Sequence, residues 1–515
     1  METQSLNNKR IAKNTLLLYF RTIFVMLISL YTSRVILNAL GVNNYGIYNV
    51  VGGVVAMFSL ISGSLSSSIS RFITFELGKG NVEKLKLVFT TSINIQIGFS
   101  IIILLLGEII GGWFLNTHMN IPADRINAAN WTLHCSLLMF CINLISIPYN
   151  ACIIAYERMT AFAYVSILEA SLKLIICYLI VMSPYDKLIS YAILLVFVSL
   201  IIRSVYGLYC RHNFEECRYQ WTKDTSLVKE MTGFAGWSFL ANSAYMLSTQ
   251  GINMLINVFF GVAINAARGI AVQVEGTVNQ FVNNFMTALN PQITKSYANG
   301  DVSYMAILVC RGAKYSFYIM LVFFIPFELE SYAILRFWLG LVPEGTVTFL
   351  RLVLLATMIT LIGNPLYTAI LATGNIRRYQ LVGTCCTILI FPLSWEAYKL
   401  GFHAYVAYII YSFIYIAIIG IRLIELKRLI KFPVMLYVNE VLRNVLLVCA
   451  CASIVPLYLH WIFKNENFEF ILICVDVMWT IIICFLLGLN KKEKEFLIQK
   501  VMTVKRNIIK LLNLD

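Results

Sequence analysis

The sequence predicts an all-α, polytopic membrane protein with about 14 transmembrane helices, arranged as two parallel six-helix lobes plus two C-terminal helices. Three observations lead to this prediction. Hydrophobic residues make up 59% of the 515 residues and charged residues only 13%, which is too little polar surface for a soluble globule of this size. Apolar windows of about 20 residues, long enough to cross the hydrocarbon core as a helix, recur along the chain. Finally, an early part of the chain resembles a later part.

The apolar windows justify the helices one by one. Each window is long enough to satisfy its backbone hydrogen bonds internally as a helix, and none alternates as the strands of a membrane barrel do. The predicted spans, in chain order, are 14–37, 45–68, 87–110, 126–150, 161–183, 189–210, 233–259, 262–290, 306–329, 346–372, 379–398, 403–421, 444–463 and 470–489.

The formal net charge of +14 is explained by membrane topology. If the N-terminus is cytoplasmic, 25 of the 40 Lys and Arg residues fall in the tails and inner connections, and only 5 fall in the outer connections. An excess of Lys and Arg on the inner side is the usual orientation signal of membrane proteins. We therefore expect both termini in the cytoplasm and no nucleic-acid partner.

Catalytic and metal-binding motifs are not found in the sequence. It has no Walker A loop, no paired zinc ligands and no nucleophile elbow, so the chain is predicted not to be an enzyme and to need no cofactor. Its 13 cysteines are scattered through apolar spans without paired CxxC motifs. Neither a disulfide framework nor a metal site is therefore expected.

An internal repeat appears when the chain is shifted by 220 residues. LGVNNYGIYNVVGGVV at 40–55 then aligns with FGVAINAARGIAVQVE at 260–275, and ITFELGKGNV at 73–82 aligns with ITKSYANGDV at 293–302. The shift relates spans six apart, so equivalent spans cross the membrane in the same direction. The matched positions include Gly41 with Gly261, Gly80 with Gly300 and, at a shift of 217, Pro148 with Pro365.

The repeat predicts the domain organisation. An N-terminal six-helix lobe is expected at 1–210, a cytoplasmic connection at 211–232 and a C-terminal six-helix lobe at 233–425. Two additional helices follow at 426–489. The basic tail at 490–515 has the pattern of an amphipathic helix on the anionic inner leaflet, although a solvated tail fits its composition nearly as well.

The eighth span is unusually polar. When it is turned at 100° per residue, six polar side chains fall within about 80° of one another, and an apolar face lies opposite them. They are Asn265, Arg268, Glu275, Asn279, Asn283 and Asn290, with Gln273 beside the stripe.

Two interpretations of this stripe are open. Amides such as Asn283, Asn284 and Asn290 can form packing bonds between helices. Arg268 and Glu275 favour a water-filled cavity between the lobes, because a charge at membrane depth costs several kcal/mol unless it is paired or faces water.

The first span carries Arg21 and Arg34 and no carboxylate. Arg34 and Arg268 both fall in the outward halves of their helices according to the repeat. Two guanidinium groups in an apolar wall suit a phosphate or pyrophosphate, which accepts their planar donors in pairs. The alternative for Arg21 and Arg34 is that their side chains snorkel to the two membrane interfaces.

The opening RIAKNTLLLYFRTIFVMLISLYTSRVILNALGVNNYGIYNVVGGVV, followed by RFITFELGKGN, resembles bacterial Wzx-type polysaccharide and O-antigen flippases. These belong to the multidrug/oligosaccharidyl-lipid/polysaccharide exporter superfamily. The resemblance implies a multi-pass protein of the bacterial inner membrane with two six-helix lobes around a central cavity. It also implies an activity: alternating access moves undecaprenyl-pyrophosphate-linked oligosaccharide, as O-antigen, capsule or exopolysaccharide repeat units, between the leaflets.

The resemblance further implies roles for particular residues. Relatives that flip the peptidoglycan precursor use cavity arginines on the first and eighth helices, and Arg34 and Arg268 are the candidates here. Cation-exporting multidrug relatives instead tend to carry a carboxylate in the first helix, which this chain lacks.

The remaining polar residues of the stripe then have expected roles as well. Asn265, Gln273, Asn279 and Asn283 would hydrogen-bond sugar hydroxyls, and Glu275 is the candidate for coupling to H⁺ or Na⁺. The expected partners are the lipid-linked oligosaccharide, the bilayer, and polysaccharide polymerase and chain-length machinery. Two alternatives stay open: a cation-coupled multidrug antiporter of the same superfamily, and a non-transporting membrane scaffold of a glycan-assembly complex.

Overall fold

The computed structural model describes residues 2–56, 58–118, 121–220, 224–339, 342–463, 468–491 and 493–495. All regular elements within these ranges are helical, and no strand occurs in them. This confirms the all-α prediction. The chain forms two compact units, and each is built from several separate segments.

The first unit comprises Met1–Met246, Asn284–Met305 and Thr368–Cys385. Fully buried side chains from three helices form one of its cores: Val51, Ala129, Leu133, Leu137 and Leu188. Its helices are α1 (Glu2–Ala56), α2 (Ser59–Lys79), α3 (Val82–Leu106), α4 (Gly112–His118), α5 (Ile126–Ala155), α6 (Met159–Met182), α7 (Lys187–Asn213), both ends of α8 (Thr225–Ala298), the start of α9 (Val302–Leu329), the end of α11 (Thr346–Thr373) and most of α12 (Arg377–Ile388).

The second unit comprises Leu247–Asn283, Ala306–Tyr367 and Cys386–Asp515. Its buried side chains are mostly apolar, but they include the fully buried carboxylate of Asp476 and the fully buried Tyr437, whose hydroxyl donates to the carbonyl of Ile362 at 2.5 Å. Its helices are the middle of α8, most of α9 (Val302–Leu329), α10 (Ser331–Leu339), most of α11 (Thr346–Thr373), the end of α12 (Arg377–Ile388), α13 (Ile390–Lys399), α14 (Val406–Ile430), α15 (Val434–Tyr437), α16 (Asn444–Ile462) and α17 (Glu469–Ile483).

Two glycines interrupt the longest helices at equivalent places of the repeat. Gly41 in α1 has φ 77° and ψ 164°, and Gly261 in α8 has φ 81° and ψ −178°. This combination is essentially restricted to glycine, because any Cβ would clash with the backbone. The breaks fall between predicted spans 1 and 2 and between spans 7 and 8.

Further features agree with the repeat. Gly80 and Gly300 both have positive φ, at 71° and 76°. Pro148 and Pro365 both lie inside helices, α5 and α11 respectively. The lobe boundaries inferred from the repeat do not coincide with the boundaries of the two compact units, and the division into lobes stays a prediction.

Ten helices among the described residues are long and apolar enough to cross a membrane. Their length and hydropathy support a multi-pass membrane protein. The four other predicted spans, 14–37, 45–68, 233–259 and 262–290, fall on α1, α2 and α8. The predicted helix in the basic tail lies outside the described residues from residue 496 onward.

Helices α2 and α8 continue beyond the ends of the apolar windows that predicted their spans. The chain stays helical past residue 68 as far as Lys79, and past residue 290 as far as Ala298. The first extension ends one residue before Gly80 and the second two residues before Gly300, and both glycines have positive φ. The apolar windows measure hydrocarbon thickness, whereas a helix continues into water until a residue such as glycine ends it.

Candidate functional site

The part of α8 that follows Gly261 carries the polar stripe. Arg268 Nη1 donates to Asn253 Oδ1 at 3.0 Å, and Nη2 donates to the Thr249 carbonyl at 3.1 Å. Along a straight helix, 15 residues span about 22 Å, so these bonds require that the chain fold back at Gly261. The residues before and after Gly261 therefore form two helices that lie side by side in the second unit.

The Arg268 side chain is buried, with 9% of its surface exposed. Both terminal nitrogens are used in the bonds to the preceding helix, and only Nε is without a partner among the described residues. A buried guanidinium held by an amide and a carbonyl is satisfied by the protein itself. Arg268 therefore ties the two halves of α8 together.

Glu275 lies two turns further along the same helix and is partly buried. Its Oε1 accepts a hydrogen bond from Thr357 Oγ1 on α11 at 3.1 Å, and the Asn279 side chain also bonds to it. Within the described part of the chain, no Lys or Arg forms an ion pair with this carboxylate. Glu275 is thus a carboxylate held by neutral donors, an arrangement that can accept a proton or a cation.

Two amides of the stripe keep hydrogen-bonding capacity for a ligand. Gln273 and Asn283 are exposed. Asn265 and Asn279 are partly buried, and the Oδ1 atom of each is without a partner among the described residues. Exposed amides in the middle of a membrane helix are unfavourable against lipid, so this face fits contact with water or a polar ligand.

Two further amides form packing bonds within the first unit. Asn284 is buried and donates to Thr22 Oγ1 at 2.6 Å, and Asn290 Oδ1 accepts from Thr368 Oγ1 at 3.1 Å. For these two residues the helix-packing interpretation is confirmed. The amides of the stripe with an unpartnered oxygen among the described residues are therefore Asn265 and Asn279.

Of the two arginines in the first span, the structure describes the side chain of Arg21 alone. Arg34 lies in α1, but its side chain falls outside the described residues, and its assignment stays a prediction. Arg21 is partly buried, and its guanidinium carbon lies 4.8 Å from the centre of the Phe162 ring on α6. A cation over an aromatic face is a stabilising contact of the protein interior.

Part of the sequence and most of the fold are similar to those of known proteins. Residues 18–179 match the MatE family model. A MATE protein in the bent conformation superposes with a TM-score of 0.71 at 12% identity, over 82% of this chain and 96% of that chain. An outward-facing multidrug resistance MATE family transporter gives 0.68 at 12% identity, over 82% and 97%. This chain has the fold of the MATE transporters.

A third neighbour with the MATE fold differs in the polarity of its binding pocket. It is a transporter of the same superfamily from Pyrococcus furiosus, described as having a binding pocket of reversed polarity that suggests a different function. It superposes with a TM-score of 0.67 at 12% identity, over 82% of this chain and 96% of that chain. Among curated proteins, none matches this sequence.

One buried cluster of this MATE fold was not predicted from the sequence. Glu157, at the turn between α5 and α6, has φ 58° and is 8% exposed. Its carboxylate lies 2.6 Å from both Lys295 Nζ and Gln292 Nε2, and its carbonyl accepts from Asn14 Nδ2 at 3.2 Å. The cluster therefore joins α1, the α5–α6 turn and the end of α8. The sequence signal was a lone Glu in a turn, which does not identify partners 135 residues or more away.

No group of acidic, His or Cys residues suited to a metal ion occurs within the described ranges. The polar face of α8, with Glu275 and its neutral donors, is therefore the candidate site.

Proposed function

We propose that the chain is a secondary transporter that carries the polar head of a lipid-linked oligosaccharide across the membrane along the polar face of α8. The observation that carries this proposal is the neutral, amide-rich character of that face. Gln273 and Asn283 are exposed, and Asn265 and Asn279 each have an amide oxygen without a partner among the described residues. Sugar hydroxyls donate and accept hydrogen bonds, and amides do the same.

The physical need for such a face is the cost of moving hydroxyls and phosphates through hydrocarbon. A wet face that opens to one side of the membrane at a time removes that cost, while the polyprenyl tail stays in lipid. Arg34 is a candidate for the pyrophosphate. Arg268 would offer Nε, or a terminal nitrogen released from Asn253 or Thr249.

Glu275 is the proposed coupling group of this transporter. A carboxylate whose partners in the described part of the chain are Thr357 and Asn279 can bind H⁺ or Na⁺, because neither donor neutralises its charge. Binding and release of the ion would then accompany opening to the two sides. Polysaccharide polymerase and chain-length machinery stay expected partners of this function.

A second candidate, cation-coupled multidrug antiport, fits the comparisons at least as well as lipid-linked oligosaccharide transport. One MATE-fold neighbour is a multidrug resistance transporter, and another is described as a MATE protein without a stated substrate. In this chain, Glu275 could bind a cationic drug as well as an ion. The reversed pocket polarity described for the Pyrococcus furiosus protein indicates that this fold does not by itself select the charge of the substrate.

Parallel assays on proteoliposomes test the proposal. One assay follows a fluorescent polyprenyl-pyrophosphate oligosaccharide as it becomes accessible to a membrane-impermeant quencher, and the other follows ethidium export under a proton or sodium gradient. The double variant Asn265→Leu with Asn279→Leu should lower flipping at least about tenfold, the effect of losing two or more hydrogen bonds to sugar. Val274→Leu, on the opposite face, is the matched control.

The outcomes separate the three functions. Flipping that depends on Asn265 and Asn279 supports oligosaccharide transport. Gradient-driven ethidium export without flipping supports the multidrug antiporter. Activity in neither assay, with full retention of glycan export in cells after substitution of Glu275 and Arg268, supports the non-transporting scaffold.

A further inference from the structure

A second ionisable cluster lies in the second unit, away from the polar face of α8. His460, near the end of α16, places Nε2 3.0 Å from Glu330 Oε1 and 3.7 Å from Asp476 Oδ2. Glu330 is the single residue between α9 and α10, and Asp476 lies in the middle of α17. The cluster thus belongs to the two additional C-terminal helices and the corner that packs on them.

The donors and acceptors around the His460 ring favour an extra proton in this cluster. His460 Nδ1 lies 2.8 Å from the carbonyl oxygen of Pro456, and a carbonyl can only accept. Nδ1 therefore carries the ring proton, and Nε2 of a neutral ring would present a lone pair to the Glu330 carboxylate at 3.0 Å. Nε2 forms no aligned hydrogen bond with the described residues, and two lone pairs at that distance repel. A proton on Nε2 or on a carboxyl oxygen removes this repulsion.

Asp476 supports the same conclusion independently. Its side chain is fully buried, and neither carboxylate oxygen has a hydrogen-bond partner in the part of the chain that the structure describes. An ionised carboxylate in that position is strongly unfavourable unless it is neutralised. His460 is the basic group facing it, and Glu469 adds a further negative charge that acts on Glu330. Carboxylates therefore outnumber bases.

We propose that Glu330, His460 and Asp476 form a proton-binding site in which one proton is shared between His460 Nε2 and the two carboxyl groups. The ligand is a proton, because the described residues offer no grouping suited to a metal ion. This site goes beyond the transport function proposed above, since it requires no substrate and does not involve Glu275.

The site has a structural consequence. When the proton leaves, Glu330 and Asp476 face each other without a positive charge between them, and the corner between α9 and α10 is repelled from α17. The Phe337 and Phe470 rings, with centroids 5.2 Å apart, join α10 to α17 next to this cluster. Proton occupancy therefore controls how firmly α10 packs on α17.

Nitrogen-15 NMR of the full chain in lipid nanodiscs, with labelled histidine, tests the proposal. The chain has five histidines, and the signal absent from H460Q identifies the ring. In the wild type we expect a proton on Nδ1 of His460. The shared proton should also move the Nε2 chemical shift away from that of an unprotonated ring nitrogen. In E330Q and D476N the Nε2 signal of His460 should shift more than any signal of the other four histidines. Glu396→Gln, at an exposed carboxylate, is the control.

Three results would overturn the proposal. The first is a neutral His460 that carries its proton on Nε2. The second is an Nε2 signal that E330Q and D476N leave unchanged. The third is a signal that responds to replacement of choline by Na⁺ at constant pH, which would make the ligand a metal cation. If D476N does not fold, the proton position in the wild type and the E330Q shift still decide the question.

Discussion

The guanidinium of Arg268 shows how a single side chain can be assigned two different roles. From the sequence it is a candidate for binding pyrophosphate, because an arginine at membrane depth needs an anion or water. In the structure its two terminal nitrogens already bond to Asn253 and to the Thr249 carbonyl. Its first role is therefore to hold the two halves of α8 together, and a role toward substrate has to coexist with that one.

Arg268→Ala should lower the free energy of unfolding by about 1–3 kcal/mol, since it leaves the Asn253 oxygen and the Thr249 carbonyl without their donor. Thermal unfolding of the detergent-purified protein measures the effect. Arg336→Ala, which removes an exposed arginine in the last turn of α10, should leave the unfolding temperature nearly unchanged. Equal unfolding temperatures for the two variants would contradict the structural role.

Glu275→Gln should abolish the dependence of transport on an ion gradient, because the amide keeps a hydrogen bond from Thr357 but cannot bind a proton or Na⁺. Transport in proteoliposomes, with and without a gradient, measures this. Glu396→Gln serves as the control for removing one carboxylate. Undiminished and still gradient-dependent transport by E275Q would remove Glu275 as the coupling group.

Lys295→Ala should destabilise the protein by about 3 kcal/mol or more, because the buried Glu157 carboxylate loses its positive partner. The double variant Glu157→Gln with Lys295→Ala should regain part of this loss, since no buried charge then remains unpaired. Chemical unfolding of the wild type, Glu157→Gln, Lys295→Ala and the double variant gives the coupling energy. A double variant no more stable than Lys295→Ala alone would show that the ion pair is not the source of the effect.

At the scale of elements, the two glycine breaks define where the long helices fold back. Gly41→Ala and Gly261→Ala should each cost about 1–3 kcal/mol, because the backbone conformation at both positions is nearly inaccessible to alanine. Gly420→Ala, inside α14 with open space around its Cβ position, should instead stabilise by up to about 1 kcal/mol. Thermal unfolding compares the three. Tolerance of alanine at both breaks would contradict the fold-back at these glycines.

The helices and their breaks could be predicted because they depend on local properties. Apolar windows located the spans, and the repeat paired Gly41 with Gly261, both of which have a positive φ. The continuation of α2 to Lys79 was missed, since hydropathy reports the membrane and not the end of the helix. The partners of Glu275 and Arg268 were missed because they come from residues 82 and 15 positions away, and only tertiary packing selects them.

At the scale of the whole molecule, the fold is that of the MATE transporters. The MATE fold supports a multi-pass membrane protein, as do the ten helices of the described residues that are long and apolar enough to cross a membrane. The inner-membrane location and cytoplasmic termini stay predictions from the distribution of Lys and Arg. The central claim is that one face of α8 lines the route of a hydrophilic group. Measuring whether water reaches that face therefore tests the proposed route more directly than any stability measurement.

The measurement uses single cysteines at positions 265 to 290 in a version without the 13 native cysteines, labelled with a membrane-impermeant thiol reagent from either side. We expect strong labelling at positions 273, 279 and 283, weak labelling at the buried Ala271 and Val282, and protection of the polar positions by lipid-linked oligosaccharide. If the polar positions stay unlabelled from both sides, the stripe only packs helices together, and the transport route must lie elsewhere.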